Sequence, residues 1–493
     1  MRPIPLLLAV LCATCTMQAQ FIVPDQEYRC PAGDMECQSQ IASSGRKPLP
    51  AYEERESKNG NKYSINYVEF RDHGKLWNER ELNDALNVIR RARGAENNES
   101  ALVVVYIHGW QNNADEPVGT CQDVCKFRDT LLARLADSAA EAGGKPLKVV
   151  GIYMAWRGRM YTREPFNHIY SYYTRRRMAM MIGRSGMYSA LSEIENAVGE
   201  KRENYVLVLA GHSMGARVLE FAAEDNKQHE GFMLKYRNQM RKMALELPVP
   251  IHLKPESRPE QAQKMNLALP ADLFLYINAA TASTITRHTI KDTREACAKM
   301  PDAPLCKADP FYIAISSRGD RATGITMPIA NFFYPAFGTD GIRLSSAANS
   351  ASLHTHTEPG KGCPPNSSLC FKLNPKDPST TQSIVRIDGK EQIPGRANQP
   401  FWIFNVKADV MKSHGDMWND GATDLIAQMI TRNEKFKTLS IQPEMNVKNE
   451  SLHPATTNAN THTGDAIVTT GEVGRANSSS AQAQGHVQTL ISQ

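Results

Sequence analysis

Within this 493-residue chain, one string carries chemistry in both its residue types and its spacing: Tyr205-Val-Leu-Val-Leu-Ala-Gly211-His212-Ser213-Met214-Gly215-Ala-Arg-Val-Leu-Glu-Phe-Ala-Ala223. A serine hydroxyl is a weak nucleophile until a base takes its proton and fixed dipoles meet the charge that develops. Gly211 and Gly215 flank Ser213 two residues away on either side and leave room for a very sharp turn. An apolar strand pattern precedes the turn, and Val218, Leu219 and Ala222 follow it at helical spacing. The turn therefore joins a strand to a helix and lifts the hydroxyl out of the sheet at the helix N-terminus, where the dipole favours negative charge. Ser213 is the predicted nucleophile.

Such a serine works only if a scaffold brings its partners to the same edge. Tyr63, Ile65 and Tyr67 alternate with polar residues as in a strand, and Leu82, Ala85, Leu86 and Ile89 then recur at helical spacing. Residues 101–107 form a continuous apolar run of the kind buried on both faces of a parallel sheet. Similar runs follow at 148–156, 205–210, 272–278, 311–316 and 401–406. Between several of them the helical spacing returns, as in Met178, Met181, Ile182, Leu191, Ile194 and Val198. Strands alternating with helices predict an α/β fold with a mostly parallel sheet flanked by helices.

The run at 101–107 ends in Ile107-His108-Gly109-Trp110. On this motif and the Gly-His-Ser-Met-Gly turn, the chain resembles the α/β-hydrolase superfamily of the serine esterase/lipase type, over roughly residues 60–435. The resemblance implies a triad in the chain order Ser, acid, His. Asp320, four residues after the run at 311–316, then takes the acid position, with Asp292 as a rival about fourteen residues past its own strand. His414, after the last apolar run, takes the base position; His354 and His356 lie in a Ser/Thr/Gly-rich insertion, and His453, His462 and His486 in a low-complexity tail. The same resemblance implies an oxyanion hole from the backbone N–H groups of Met214 and Trp110, with His108 and Gly109 shaping the loop. It also implies two long insertions, 224–270 and 326–400, each either a cap over the pocket or surface decoration. The implied activity is hydrolysis of a small-molecule or lipid-like carboxylic ester through an acyl-enzyme, needing no metal or organic cofactor. Acyltransferase, amidase and thioesterase chemistry are variants on the same triad, and a non-catalytic binding protein is the alternative class.

Composition sets the outer bounds. Hydrophobic residues at 41% and charged residues at 22% exclude a collagen-like, wholly disordered or multi-span membrane chain. A net charge of +5 makes no case for nucleic acid. The excess is local, because residues 157–184 hold seven Arg and one Glu, with Tyr161, Phe166, Tyr170, Tyr172 and Tyr173 among them. Arg157, Arg159, Arg175, Arg176 and Arg177 follow the end of a strand, which admits two readings: a basic stretch beside the substrate or against a charged envelope surface, or a solvated cationic face.

Residues 1–19 read as a signal peptide, with Arg2, a short apolar run from Ile4 and the small Ala19 before the expected cleavage. A lipid anchor at Cys15 is the weaker alternative, since Leu11-Cys12-Ala13-Thr14 matches a lipoprotein box poorly. The remaining cysteines fall into four close pairs, Cys30 with Cys37, Cys121 with Cys125, Cys297 with Cys306, and Cys363 with Cys370. These predict local disulfides in a secreted or periplasmic protein, with metal ligation a rival only near Cys121 and Cys125. Residues 20–60 read as an irregular arm, 61–440 as the catalytic domain without a transmembrane helix, and 441–493 as a disordered tail.

Overall fold

The computed structural model describes residues 25–92, 100–117, 121, 123–141, 147–160, 166–199, 204–223, 271–281, 310–326, 348, 356–357, 370–373, 384–386, 401–431 and 433–441. In chain order these form α1 (Met35–Ser43), β1 (Tyr52–Glu56), β2 (Lys62–Phe70), α2 (Glu79–Ala92), β3 (Ala101–Ile107), α3 (Ala133–Glu141), β4 (Lys148–Trp156) and α4 (Phe166–Ile182). There follow α5 (Tyr188–Val198), β5 (Tyr205–His212), α6 (Met214–Ala223), β6 (Leu273–Ile277), β7 (Tyr312–Ser317), β8 (Phe401–Val406), α7 (Asp420–Thr431) and α8 (Glu434–Ile441).

The eight strands make one sheet in the order β8-β7-β6-β5-β3-β4-β2-β1, parallel throughout except for the antiparallel β1–β2 pair at one edge. Every residue of β3 and β5 is buried, which is why these segments read as unbroken apolar runs. Side chains alternate between two cores. Val103, Val105, Leu207 and Leu209 pack with residues of α2, α4, α5 and α6, whereas Leu102, Val104, Val206 and Val208 pack with residues of α3, α7 and α8. The predicted mostly parallel α/β sheet is therefore present, with helices on both faces.

Register decides where the chemistry can sit. Ile107 pairs with Gly211, Gly211 with Tyr276, Ile277 with Ile315, and Ser317 with Val406. The carboxyl ends of β3, β5, β6, β7 and β8 thus finish along one edge of the sheet. His108, Ser213, Asp320 and His414 all lie in the segments that leave those ends.

The arm over residues 20–60 is not irregular where it is described, from Asp25 onward. It contains α1, capped by Asp34, whose side chain accepts from Cys37 N at 3.0 Å, and a parallel pairing of Arg29–Cys30 with Leu49–Pro50. It also supplies the edge strand β1. Proline, glycine and charge suggested a loop, but tertiary contacts override those local signals. Arg29 is wholly buried, with its guanidinium 3.3 Å from the centroid of the Tyr67 ring. Its Nε donates to the Ala114 carbonyl at 3.0 Å, and its terminal nitrogens reach the Pro50 carbonyl, Glu53 and Glu116.

The expected signal peptide and Cys15, the insertion at 224–270, Asp292, Cys297, Cys306, Cys363 and nearly all of the tail lie outside the described residues. Within 326–400, a three-stranded antiparallel sheet of His356–Thr357, Cys370–Leu373 and Ile384–Arg386 is present. All described residues belong to one compact unit that ends at Glu444.

Candidate active site

β5 turns into α6 through Ser213 alone. The serine has φ +55°, a left-handed conformation that costs a non-glycine residue on the order of 1 kcal/mol or more. Its N–H donates to the Ile277 carbonyl at 3.0 Å, and its carbonyl accepts from Ala280 N at 2.9 Å, so the end of β6 holds the strained residue from both sides. Gly215 is required by close approach: a Cβ there would collide with the carbonyl oxygens of Ile107 and His108. Gly211 faces the backbone of Ala216 in the same way. Met214 is the first residue of α6, so its N–H is among the donors that the helix leaves unpaired.

His414 lies in the segment after β8. Its Nε2 stands 2.6 Å from Ser213 Oγ, and its Nδ1 stands 2.9 Å from Asp320 Oδ2. A carboxylate only accepts, so Nδ1 carries the proton and Nε2 presents a lone pair to the hydroxyl. Asp320, after β7, is buried, and burial by itself opposes its charge. Hydrogen bonds from His414 and from the side chain and backbone of Thr323 outweigh that cost and hold the carboxyl below its usual range. The turn carrying Asp320 and the segment carrying His414 meet at Gly319, where any Cβ would strike the Lys412 carbonyl.

The segment after β3 passes directly over this turn. A Cβ on Gly109 would come within 2.9 Å of Ser213 Cβ. His108 is buried and held neutral chiefly by that burial. Its Nε2 accepts from Trp156 N at 2.9 Å, so its Nδ1–H donates to the Gly109 carbonyl at 2.8 Å. The carbonyl of the Gly109–Trp110 peptide is thereby fixed, and planarity sends the Trp110 N–H to the opposite side. The Trp110 side chain is anchored by its Nε1–H to Ser171 at 3.1 Å.

The five arginines split. Arg175 is buried and bonds Asp72 through both terminal nitrogens and the Arg157 carbonyl at 2.9 Å. Arg157 pairs with the same Asp72 at 3.1 Å. Arg176 is also buried, and its carbonyl accepts from Arg217 Nε at 3.2 Å, whereas Arg159 and Arg177 are exposed. Arg175 does not belong to a solvated cationic face, because its guanidinium is buried against Asp72 and the Arg157 carbonyl.

Two of the four expected disulfides fall among described side chains, and both are formed: Cys30–Cys37 and Cys121–Cys125. Among the described residues, Glu116, Cys121 and Cys125 bring metal-type donors together. The two sulfurs are joined to each other and Glu116 is held by Arg29 and Arg128, so this set suits no cation. No described helix is long and apolar enough to cross a membrane. The two disulfides are compatible with an extracellular or periplasmic protein.

Sequence reasoning missed Thr323, which secures the acid, and Asn278, at the end of β6. Asn278 has φ +44°. An Asn closing an apolar run was the available signal, since Asn tolerates the left-handed region better than most residues. No family model, curated protein or solved structure matches the chain.

Proposed function

We propose that this chain is an exported serine hydrolase of the α/β-hydrolase type that cleaves carboxylic esters. The observation that carries the reading is the unbroken relay from Ser213 Oγ to His414 Nε2 at 2.6 Å and from His414 Nδ1 to Asp320 at 2.9 Å, built from three separate strand ends. The strained Ser213 at a strand-to-helix turn and the Gly109 backbone against it support the same reading.

In the mechanism, His414 Nε2 takes the Ser213 proton as Oγ attacks the ester carbonyl carbon. The electron pair of the C=O bond moves to oxygen, and the N–H groups of Met214 and Trp110 meet that oxyanion; each such donor contributes on the order of 3 kcal/mol in the transition state. Collapse of the tetrahedral intermediate expels the alcohol, which leaves with the proton from His414. Water, deprotonated by His414, then attacks the acyl-enzyme and releases the acid with Ser213 restored. Asp320 holds the tautomer and stabilises the imidazolium throughout.

The test is labelling with a fluorophosphonate followed by turnover of nitrophenyl esters of increasing chain length. Wild type is expected to label and turn over, and Ser213→Ala to do neither. A folded wild type that takes no label and hydrolyses no ester in the series overturns the reading.

A further inference from the structure

His414 sits on a segment with no helix or strand of its own between the end of β8 and the start of α7. A base on such a segment stays in line only if its backbone is anchored. The anchor is the main-chain carbonyl of His414 itself, whose oxygen receives two donors. His212 Nε2 lies 2.9 Å from it, and Asn278 Nδ2 donates to it at 2.9 Å. A carbonyl oxygen has two lone pairs, so the pair of donors saturates it.

We infer that His212 and Asn278 are positioning residues that hold His414 between Ser213 and Asp320 by clamping its backbone carbonyl. This rests on the ester-hydrolase reading above. His212 is the immediate neighbour of Ser213, so its bond ties nucleophile to base without passing through the core. The carbonyl can only accept, so His212 Nε2 carries the proton; the buried Nδ1 is a bare lone pair with no partner among the described residues. Burial first, and the nearby His414 ring second, hold His212 at about 4, so it stays a neutral donor at working pH. Asn278 joins the third member: its Oδ1 accepts from Ser317 N at 2.9 Å, at the end of the strand that leads to Asp320. Its left-handed backbone at φ +44° lets the chain turn there. The elbow and the end of β6 therefore meet the base segment at one oxygen atom, and Asn278 links that point to the acid strand through its own Oδ1.

The geometry makes a sharp discrimination possible. A glutamine amide nitrogen reaches the place of an imidazole Nε2, whereas an asparagine amide nitrogen reaches only the place of Nδ1. Nitrophenyl ester kinetics and fluorophosphonate labelling rates of His212→Leu, His212→Gln, His212→Asn and Asn278→Asp, each with its melting temperature, test the clamp. The expected result is a fall in kcat on the order of 10–100-fold with little change in KM for His212→Leu, His212→Asn and Asn278→Asp. His212→Gln is expected to recover to within about threefold of wild type. If His212→Leu does not fold, the Gln and Asn variants carry the comparison. Wild-type kcat in His212→Asn and Asn278→Asp, or a His212→Gln as impaired as His212→Asn at an unchanged melting temperature, overturns the clamp alone. A wild type inert to both reagents overturns the hydrolase reading on which it rests.

Discussion

At the residue scale, backbone strain and the proposed chemistry meet at Ser213. Its φ of +55° is tolerated because Ile277 and Ala280 hold the backbone from both sides. Alanine at this position keeps the strain, whereas glycine removes it. Ser213→Gly is therefore expected to be more stable than Ser213→Ala by about 1 kcal/mol, measured by urea unfolding at pH 7, with both variants inactive on esters. Equal stability would mean that the elbow is relaxed. Asp320 plays a different part, since it sets which nitrogen of His414 bears the proton. Asp320→Asn presents an amide that can donate to Nδ1 and so favours the wrong tautomer. A loss of roughly 10⁴-fold in kcat is expected, read from steady-state ester hydrolysis, with substrate binding largely kept.

At the element scale, Arg175 shows how a functional-looking cluster can be structural. It sits on α4, and through Asp72 and the Arg157 carbonyl it ties that helix to the segments following β2 and β4. Arg175→Ala leaves Asp72 paired with Arg157 but takes away its buried bonds to Asp72 and to the Arg157 carbonyl, so it is expected to cost about 1–3 kcal/mol in denaturant unfolding. Arg177→Ala, at an exposed position, is expected to stay within about 0.5 kcal/mol of wild type. Elements of this kind also mark the limit of what sequence shows. β3, β4 and β8 were legible to the residue because both faces are buried nearly throughout and their side chains are apolar except for Lys148 and Asn405. The Gly-His-Ser-Met-Gly turn was legible because strand, turn and helix are contiguous. β1 was not, because Tyr-Glu-Glu-Arg-Glu lies on a wet edge where charge protects against mispairing and leaves no apolar alternation. Nor were Asn278 and the Arg175–Asp72 pair, whose partners lie 136 and 103 residues away in the chain.

At the scale of the whole molecule, the arm is joined to the sheet and to α2 through buried carboxyl groups. Glu69 of β2 accepts from Tyr28 N at 2.9 Å and from Arg29 N at 2.7 Å, and its own N–H donates to Glu81 of α2 at 2.7 Å. Burial raises all three acids here. Glu27 is pushed up to about 7 and Glu69 to about 8, the latter despite the two backbone donors and the charge of Arg29. Glu81 is raised well above the usual carboxyl range, by burial and then by repulsion from Glu69, and its second carboxyl oxygen has no partner among the described residues. The unfolded chain ionises these groups near 4.5, whereas the folded chain keeps the proton until the raised value is reached. Between those limits the native state binds more protons, so stability falls as pH rises, and the contribution is fully present only below about 4.5. Wild type is therefore expected to lose stability from pH 5 to pH 8.5. Glu81→Gln does not titrate and keeps an oxygen for the Glu69 N–H, so it is expected to lose less, by on the order of 1–2 kcal/mol. Urea unfolding at the two pH values measures the difference, and parallel losses in the two proteins would mean that Glu81 ionises as freely in the folded state as in the unfolded one.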